Sequence, residues 1–412
     1  MSGLRTVEEH LDVILAAVTA TPAETLPLAE ARGRTLREPV TAAVDIPVFD
    51  NSAMDGFAIR YADAAAAAMD APVHLTVVAD LPAGTDLDPP LAPGQAARIM
   101  TGSPVPTDAD AIVPFEDTAG GLADSLGEIA VLRAPKPAAH IRRRGSDLRT
   151  GDVVVPAGTE LTPLQLSAAA AAGVAEVVVA RRPRVAVVAT GSELVPPGAA
   201  LRRGQIPESN SELLAGLAAE AGAEVVLRRT VDDTDAAFLA VLTAAADAGA
   251  EVVITSGGVS AGAFEVVKNA LAGSDVAFVK VAMQPGKPQG FGRLAGGALL
   301  FGLPGNPVSS AVSFETFVRP ALLRMQGRDR IHRPVLRLPA ATGWRTPPGR
   351  RQYLPAAIDR ADPARWTVAP ATAGGSGSHL AGGLARAEAY AVVPAEVDAV
   401  EAGDLVDVML VP

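Results

Sequence analysis

The hydrophobic positions change their period several times along the 412-residue chain. Residues 6–18 predict a helix, because their apolar residues recur on one face and Thr6 and Glu9 have the spacing of a capping box. From about residue 46 to 137, short β-rich runs stand between Gly, Pro and Asp residues, which predicts a small β domain inserted into the first one. A second helix, predicted over residues 163–172, closes that discontinuous first domain.

Residues 174–325 carry the clearest pattern, in which short apolar runs alternate with helical patterns. The apolar runs are 185–189, 224–227, 252–255 and 299–301, and the helical patterns are 212–221, 235–248, 264–271 and 308–325. Wholly apolar strands that alternate with helices predict a largely parallel sheet covered on both faces. After residue 328 the helical period disappears and short strand-like runs return, which predicts an all-β last domain.

We therefore predict an α/β and β multidomain fold around a three-layer α/β domain with a mostly parallel sheet. A chain of this length is too long for one compact core. The predicted domains are residues 1–43 with 138–173 (discontinuous and N-terminal), 44–137 (inserted and β-rich), 174–327 (α/β) and 328–412 (C-terminal and β).

Composition and charge narrow the function classes. The net charge of −11 disfavours general binding to nucleic acid, which rewards clustered Lys and Arg. Cysteine is absent, which excludes disulfides and thiolate metal sites but leaves oxygen-ligated metals open. The apolar runs are far shorter than the roughly 20 residues of a membrane span, and no secretory pattern opens the chain. We expect a soluble, cytoplasmic protein with neither a nucleic-acid nor a membrane partner.

Glycine turns with polar side chains follow three of the predicted strands. In an open α/β sheet, ligands bind outside the carboxyl ends of the strands, where helix N-termini offer free NH groups. Each turn alone can be an ordinary strand-to-helix connection, but three at one edge favour a phosphate-bearing ligand. The P-loop and the G-x-G-x-x-G fingerprint are both absent, which argues against ordinary NTPases and dehydrogenases. The candidate binding residues are Thr190, Gly191, Ser192, Ser256, Gly257, Gly258, Ser260, Pro304, Gly305, Asn306 and Pro307.

Four carboxylates accompany these turns: Glu193, Asp232, Asp233 and Glu265. A carboxylate beside a phosphate is unfavourable unless a cation lies between them, and Mg2+ binds through one or two carboxylates plus substrate phosphates. A magnesium-bridged phosphate is the physical inference. Helix capping is the alternative, because acidic residues in a first turn stabilise the helix dipole.

Two polar segments lie outside the α/β region. Residues 50–56 (DNSAMDG) hold two carboxylates between apolar residues, and residues 100–106 (MTGSPVP) form a Gly-Pro turn followed by further acidic residues. Both can also be surface turns rich in Asx and Pro residues.

Together these strings resemble the molybdopterin molybdenumtransferase family, that is, MoeA and the related C-terminal domain of gephyrin, over essentially the whole chain. The matching segments are 50–56, 101–106, 108–112, 145–147, 190–194, 255–260, 285–288 and 303–308. The resemblance implies a molybdopterin-binding α/β domain, an N-terminal linker and dimer domain, and a C-terminal β-barrel-like domain. It also implies a Mg2+-dependent homodimeric transferase that inserts molybdate into adenylylated molybdopterin and releases AMP. A molybdopterin adenylyltransferase is then a candidate partner.

The resemblance also assigns roles to residues. Glu193, Asp232, Asp233 and Glu265 are expected to hold magnesium or the pyrophosphate, and Asp55, Thr101 and Asp147 are expected to reach the site from the neighbouring subunit. The candidates for contacting the substrate anions are Lys280, Lys287, the turn 304–307, Arg350 or Arg351, and Ser378.

Several positions differ from the family pattern. Gln284 stands where members commonly have Lys, which is expected to remove one phosphate-reaching charge. Glu265 replaces a usual Asp, and the stretch 377–384 has Gly where members usually carry Ser. A non-catalytic or divergent pterin-binding scaffold of the same fold is therefore a second hypothesis. A pyridine-nucleotide pyrophosphatase is a third, although it has no need of the segments 50–56 and 101–106.

Overall fold

The computed structural model describes residues 4–121, 125–258, 266–372 and 381–411. An N-terminal helix, an inserted β sheet, a central α/β sheet and a C-terminal sheet follow one another along the chain. No helix within these described ranges is long and apolar enough to cross a membrane.

The N-terminal helix Val7–Ala17 begins with the predicted capping box. Thr6 Oγ1 accepts from the backbone NH of Glu9 at 3.1 Å, and the Glu9 carboxylate accepts from the backbone NH of Thr6 at 2.8 Å. Val7 and Ile14 are buried in the same hydrophobic core as the central α/β sheet. The helix therefore packs against the central sheet, as its apolar face predicts.

Strands from before and after the inserted β region pair with each other. Ala23–Pro27 is antiparallel to Glu176–Ala180, and Val40–Thr41 is antiparallel to Val153–Val155. The helix Pro163–Ala171 lies in the same part of the fold and begins with a proline in its first turn, where no intrahelical NH bond is lost.

The inserted region forms a six-stranded mixed sheet. Its strand order is Ala111–Pro114, Gly56–Ile59, Gln95–Ile99, Val73–Leu81, Glu128–Val131, Thr118–Ala119. Only Val73–Leu81 and Gln95–Ile99 among these neighbours run parallel. The short elements around this sheet are the strand pair Asn51–Ser52 with Ile141–Arg142, the helix Tyr61–Ala64 and the 3-10 turn Phe115–Asp117.

The central sheet has six strands in the order Glu224–Val231, Arg184–Thr190, Val252–Ser256, Leu299–Leu303, Pro288–Arg293, Asp275–Lys280. The first four strands are parallel to one another, Pro288–Arg293 is antiparallel to both of its neighbours, and Asp275–Lys280 again runs in the first direction, which confirms the mostly parallel sheet. The helices that accompany it are Asn210–Glu220, Asp235–Asp247, Val266–Ala270, Pro307–Ser313 and Arg319–Met325. A parallel pair of short strands, Leu194–Val195 with Ile206–Pro207, projects beside the sheet.

Alternate residues of the central strands face two separate cores, which confirms the three-layer α/β architecture. Val187 and Ile254 lie in one core with Leu214, which belongs to helix Asn210–Glu220. Val188 lies in the other core with Phe238, which belongs to helix Asp235–Asp247. Wholly apolar strands are the expected result of covering both faces of a sheet.

Two central strands were not predicted from the sequence, namely Asp275–Lys280 and Pro288–Arg293. The second contains one proline and two glycines, which disfavour a strand. The fold needs a small residue there, because a Cβ at Gly290 would lie 2.9 Å from the ring of Phe278. The helix predicted over 308–325 is also interrupted, by a π turn at Phe314–Val318 that precedes Pro320.

The C-terminal sheet is nearly closed and barrel-like, as the predicted fold class states. Its strand order is Met283–Gln284, Arg351–Asp359, Ala389–Val393, Leu405–Leu410, Val335–Pro339, and Thr367–Pro370 pairs with Arg351–Asp359. Ala341 NH donates to the Val368 carbonyl at 2.8 Å and so brings the two ends of the sheet together. The strand pair Trp344–Arg345 with Ala399–Val400 and the 3-10 turn Ala381–Arg386 complete this region.

Candidate functional site

A cavity of about 500 Å³ lies at the carboxyl ends of the parallel central strands. Three turns that follow these strands, residues 190–193, 256–258 and 303–307, provide much of its wall, and we call them the rim turns. A fourth segment, residues 284–288, lines the same cavity. The lining residues are Thr190, Gly191, Glu193, Leu194, Ile206, Asn210, Asp233, Ser256, Gly257, Gly258, Gln284, Pro285, Gly286, Lys287, Pro288, Pro304, Gly305, Asn306, Pro307 and Ser309.

The rim turns contact one another through their backbones at Gly257. This residue has φ +99°, and a Cβ there would lie 2.5 Å from the Thr190 carbonyl oxygen. The Gly257 NH also donates to the Leu303 carbonyl at 3.1 Å. Only glycine satisfies both the positive φ and the close approach, so the three turns form one packed unit.

Asn210 joins two rim turns, although no motif in the sequence marks it. Its Nδ2 donates to Ser256 Oγ and to the Gly305 carbonyl, each at 2.6 Å, and the residue is only 8% exposed. Because a carbonyl can only accept, the amide nitrogen must face Gly305. Asn210 Oδ1 and Thr190 Oγ1 are buried and have no hydrogen-bond partner among the described residues. Such atoms are rare, and these two belong to residues that line the cavity, where a ligand or water can supply a partner.

The segment 284–288 is fixed by a second residue that the sequence did not reveal. Gln289 is buried, and its Nε2 donates to the Gly286 carbonyl at 2.6 Å and to Ser313 Oγ at 2.7 Å. Ser310 Oγ donates to the Pro304 carbonyl at 2.6 Å. Helix Pro307–Ser313 therefore contacts both the last rim turn, through Ser310, and the residue that fixes the segment 284–288, through Ser313.

Charged side chains of both signs line the cavity. Within the described lining there are two carboxylates, Glu193 and Asp233, and one ammonium, Lys287. Asp233 Oδ2 accepts from the Ser192 NH at 3.0 Å, and Ser192 Oγ accepts from the Asp233 NH at 3.3 Å, so the two acidic segments are tied together. No group of three or more His, Cys, Asp or Glu residues able to hold a metal occurs in the described ranges. A pair of carboxylates can hold a cation that takes its other ligands from a bound phosphate.

Other predicted site residues do not line this cavity in the described part of the chain. Lys280 is exposed at the end of its strand, and Asp232 is exposed beside Asp233. Arg350 lies next to the cavity, because its Nη1 donates to Oε1 of the lining residue Gln284 at 2.7 Å. Arg351 forms an ion pair with Glu8 of the N-terminal helix. The predicted residues Ser260, Glu265 and Ser378 lie outside the described residues.

The predicted residues of the N-terminal half lie apart from this cavity lining, with Thr101 and Asp147 exposed and Asp55 half-buried. Asp55 Oδ1 accepts from both the backbone NH and Oγ1 of Thr101, each at 2.7 Å. These hydrogen bonds, the backbone one first, hold the pKa of Asp55 below its ordinary value. Asp147 is exposed, and its NH donates to the Ile46 carbonyl at 2.9 Å. None of the three is among the residues that line the cavity in the described chain.

The first carboxylate of the segment 50–56 has a structural role. Asp50 pairs with Arg143 at 2.6 Å and accepts from the Arg144 NH at 2.7 Å. Arg144 in turn pairs with Asp45 at 2.6 Å. The backbone NH of Thr150 and the Arg144 side chain lower the pKa of Asp45 to about 2. Asp50 thus ties its segment to the basic run that follows the inserted sheet, whereas Asp55 accepts hydrogen bonds from Thr101 and forms no ion pair of this kind within the described ranges.

Three family models match successive parts of the chain. Residues 5–173 match the MoeA N-terminal region (domain I and II), residues 186–324 match a probable molybdopterin binding domain, and residues 337–411 match the MoeA C-terminal region (domain IV). Together these matches extend over nearly the whole sequence.

Similar proteins match over the whole length as well. The chain is 45% identical over 407 residues to molybdopterin molybdenumtransferase 2 of Mycobacterium tuberculosis, covering 97% of this chain and 98% of that one. It is 34% identical over 397 residues to molybdopterin molybdenumtransferase of Haemophilus influenzae, covering 94% of each. The crystal structure of a molybdopterin biosynthesis moeA protein from Pyrococcus horikoshii superimposes with a TM-score of 0.80 at 30% identity, covering 99% of each chain. Nothing in these matches supports a scaffold without activity.

Proposed function

The chain belongs to the molybdopterin molybdenumtransferase (MoeA) family, and from this membership we propose that it transfers molybdate to adenylylated molybdopterin and releases AMP, in molybdenum cofactor biosynthesis. The observation that carries the proposal is the cavity that the rim turns share with Asp233 and Lys287, so that Glu193, Asp233 and Lys287 all line it. This site offers backbone donors, a cation-binding pair and a positive charge to one ligand.

The rim turns hold the pyrophosphate of the adenylylated substrate. Gly191, Gly257, Gly258 and Gly305 all line the cavity, so no side chain at these positions keeps a phosphate oxygen from the backbone. The NH groups of Gly191 and Gly257 already donate to the carbonyls of Val231 and Leu303, so Gly258 and Gly305 are the proposed NH donors. Water cleaves the phosphorus–oxygen bond that joins the two phosphates, its oxygen stays on one of them, and AMP leaves. The two dithiolene sulfurs bind molybdenum, and one oxo ligand departs as water with the two thiol protons.

Magnesium is the cofactor that fits the acidic end of the cavity. Glu193 and Asp233 both line the cavity, and Ser192 orients Asp233 through the 3.0 Å hydrogen bond. Mg2+ bound there would neutralise the pyrophosphate charge that these carboxylates otherwise repel. Asp232 and Glu265 are proposed as further groups near this metal.

The basic side chains hold the oxyanion. Lys287 lines the cavity, and Arg350 reaches its wall through Gln284. Molybdate is a dianion that must approach a phosphate-bearing ligand, so positive charge is needed to screen the repulsion. We assign this task to Lys287 and Arg350.

The direct test measures AMP release by the purified full-length protein from adenylylated molybdopterin. Release is expected only when molybdate and Mg2+ are both present, and Glu193→Gln is expected to lower the rate at least about 100-fold. Glu220→Gln, at the exposed far end of helix Asn210–Glu220, is the matched control and should leave the rate unchanged. The proposal is overturned if AMP release does not depend on molybdate. It is also overturned if Glu193→Gln is as active as the parent protein and depends on Mg2+ in the same way.

We further propose that the active site is completed across a homodimer. Asp55, Thr101 and Asp147 are absent from the cavity lining of their own described chain, and the family resemblance assigns them to the partner's site. In a two-fold dimer, a chain with Glu193→Gln and a chain with Asp55→Asn rebuild one intact site. Mixing and reassociating these two inactive variants should restore about a quarter of the activity.

The control mixture joins Glu193→Gln with Lys287→Ala, which alter the same cavity. It should restore nothing, whether or not the site is shared between subunits. If the Glu193→Gln and Asp55→Asn mixture also stays inactive while each variant remains folded and dimeric, the shared site is wrong.

The adenylylated substrate must come from an enzyme that adenylylates molybdopterin. We propose a molybdopterin adenylyltransferase as the partner that delivers it. Adding that enzyme with molybdopterin and ATP should support AMP release as well as the purified substrate does, and a failure to do so would argue against direct delivery.

A further inference from the structure

Gln284 links the cavity to the C-terminal sheet. The residue is half-buried and lines the cavity, and its Oε1 accepts from Arg350 Nη1 at 2.7 Å. Its strand Met283–Gln284 is the edge strand of the C-terminal sheet and pairs with strand Arg351–Asp359. The NH of Arg351 donates to the Ala282 carbonyl at 3.0 Å, one residue beyond Arg350. The backbones of the two domains are therefore joined right beside this side-chain contact.

The backbone contact alone does not fix the guanidinium. An arginine side chain has high rotamer entropy when it is free, and it is held in one place only by directional partners. Gln284 Oε1 is such a partner, and it leaves the other NH groups of Arg350 free of this contact.

A neutral acceptor is the kind of partner that suits an anion site. A carboxylate at position 284 would pair with Arg350 and cancel its charge, and an apolar side chain would leave it unheld. An amide oxygen orients the guanidinium but keeps its full positive charge. That charge matters because the described lining contains two carboxylates, Glu193 and Asp233, and a single ammonium, Lys287.

We propose that Gln284 is a positioning residue that holds the Arg350 guanidinium toward the oxyanion substrate without neutralising it. The inference rests on the proposed function, in which Arg350 screens molybdate. From the sequence, Gln284 was expected only to remove a phosphate-reaching charge. In this proposal it also orients the positive charge of Arg350, which comes from the neighbouring C-terminal sheet.

The test is a double-mutant cycle with Gln284→Leu and Arg350→Ala in the full-length protein. Gln284→Leu should raise the KM for molybdate about tenfold, the effect of one hydrogen bond to a charged group, with kcat and the KM for adenylylated molybdopterin within about twofold of the parent. In the Arg350→Ala background the same change should alter the KM for molybdate less than about twofold. Gln284→Met provides a second apolar variant with the same expected pattern.

Gln284→Glu tests whether the acceptor for Arg350 must be uncharged or whether any acceptor is sufficient. It keeps an oxygen for Arg350 but adds a negative charge, so it should also raise the KM for molybdate at neutral pH. Gln165→Leu, in helix Pro163–Ala171, is the matched glutamine control and should leave every constant unchanged. A molybdate KM unchanged by both apolar variants, or an increase that persists in the Arg350→Ala background, overturns the positioning role.

A binding measurement keeps this inference separate from the proposed reaction. Titration calorimetry of molybdate into the intact protein runs the same cycle without turnover. If the parent protein releases no AMP but Gln284 and Arg350 still couple in molybdate binding, the proposed reaction fails and the positioning role stands. If the protein releases AMP but Gln284 and Arg350 do not couple in molybdate binding, the proposed reaction stands and the positioning role fails.

Discussion

The rim turns and the Asp55–Thr101 pair are both polar segments that the sequence singles out, yet the fold holds them in opposite ways. The rim turns contact one another through Gly257 and are braced by the buried side chain of Asn210. Asp55 is held by hydrogen bonds from a single exposed residue, Thr101. One region depends on close packing among three turns, and the other on the hydrogen bonds between two residues at the edge of the inserted region.

This difference determines whether a substitution changes stability and activity together or only one of them. A buried, close-packed turn cannot change without disturbing its neighbours, so its variants should lose stability and activity together. Asp55 is only half-buried and its partner Thr101 is exposed, so one hydrogen bond between them can be lost with little effect on folding. We therefore expect activity and stability to be coupled at the rim turns and separable at Asp55.

The largest effect is expected for Gly257→Ala. A Cβ would meet the Thr190 carbonyl at 2.5 Å, so the rim turns must move apart. We expect the stability to fall by about 3 kcal/mol or more and AMP release to fall below about 1% of the parent rate. Urea unfolding and the AMP assay measure the two effects.

Gly297→Ala is the matched control for Gly257→Ala. Gly297 has a similar φ of +90°, but a Cβ added there would have no heavy atom within 4 Å beyond its immediate chain neighbours. It should therefore show only the cost of a positive φ, about 1 kcal/mol, with normal activity. Equal losses of stability in the two variants would mean that backbone conformation, not contact between the turns, controls the rim.

The sequence predicts those parts of the rim turns that a short stretch of residues can reveal, and it does not predict the side chains that join the turns. The three turns were predicted because each lies directly after an apolar strand and contains glycine and hydroxyl or amide side chains. Asn210 and Gln289 were not predicted. Asn210 contacts Ser256 and Gly305, which are 46 and 95 residues away in the chain, so no short motif could reveal the contacts.

The same distinction between local and long-range patterns explains which strands of the central sheet the sequence predicts. The parallel strands and their helices were predicted because burial on both faces leaves a wholly apolar run. The strand Pro288–Arg293 was missed because its two glycines are required by the neighbouring strand: the ring of Phe278 lies opposite Gly290, and the backbone of Asp275 lies close to Gly292. Pairing between strands is a property of the folded chain, and a single stretch of sequence does not contain it.

An intermediate effect is expected for Asn210→Asp. The carboxylate has nearly the shape of the amide but cannot donate to the Gly305 carbonyl, so two oxygens that repel each other remain buried 2.6 Å apart. We expect a loss of about 2 kcal/mol in stability and of at least about tenfold in kcat/KM. Asn269→Asp, which places the same charge on an exposed helical site, should change neither quantity. A stable, fully active Asn210→Asp would show that the rim does not need this brace.

The smallest effect on stability is expected for Thr101→Val, which tests the exposed side of the comparison. The variant keeps the backbone NH donor to Asp55 but loses the hydroxyl donor, so the pKa of Asp55 should rise toward its ordinary value.

Because the folded pKa is lowered, the ionised Asp55 contributes stability above its ordinary pKa, and this contribution is lost as the pH falls through the folded pKa. Thr101 is exposed and Asp55 is only half-buried, so the change in stability at neutral pH should stay within about 0.5 kcal/mol. Carboxyl NMR titration of Asp55 and urea unfolding at several pH values measure both quantities, and a loss as large as that of Asn210→Asp would mean that Thr101 and Asp55 are as tightly braced as the rim turns.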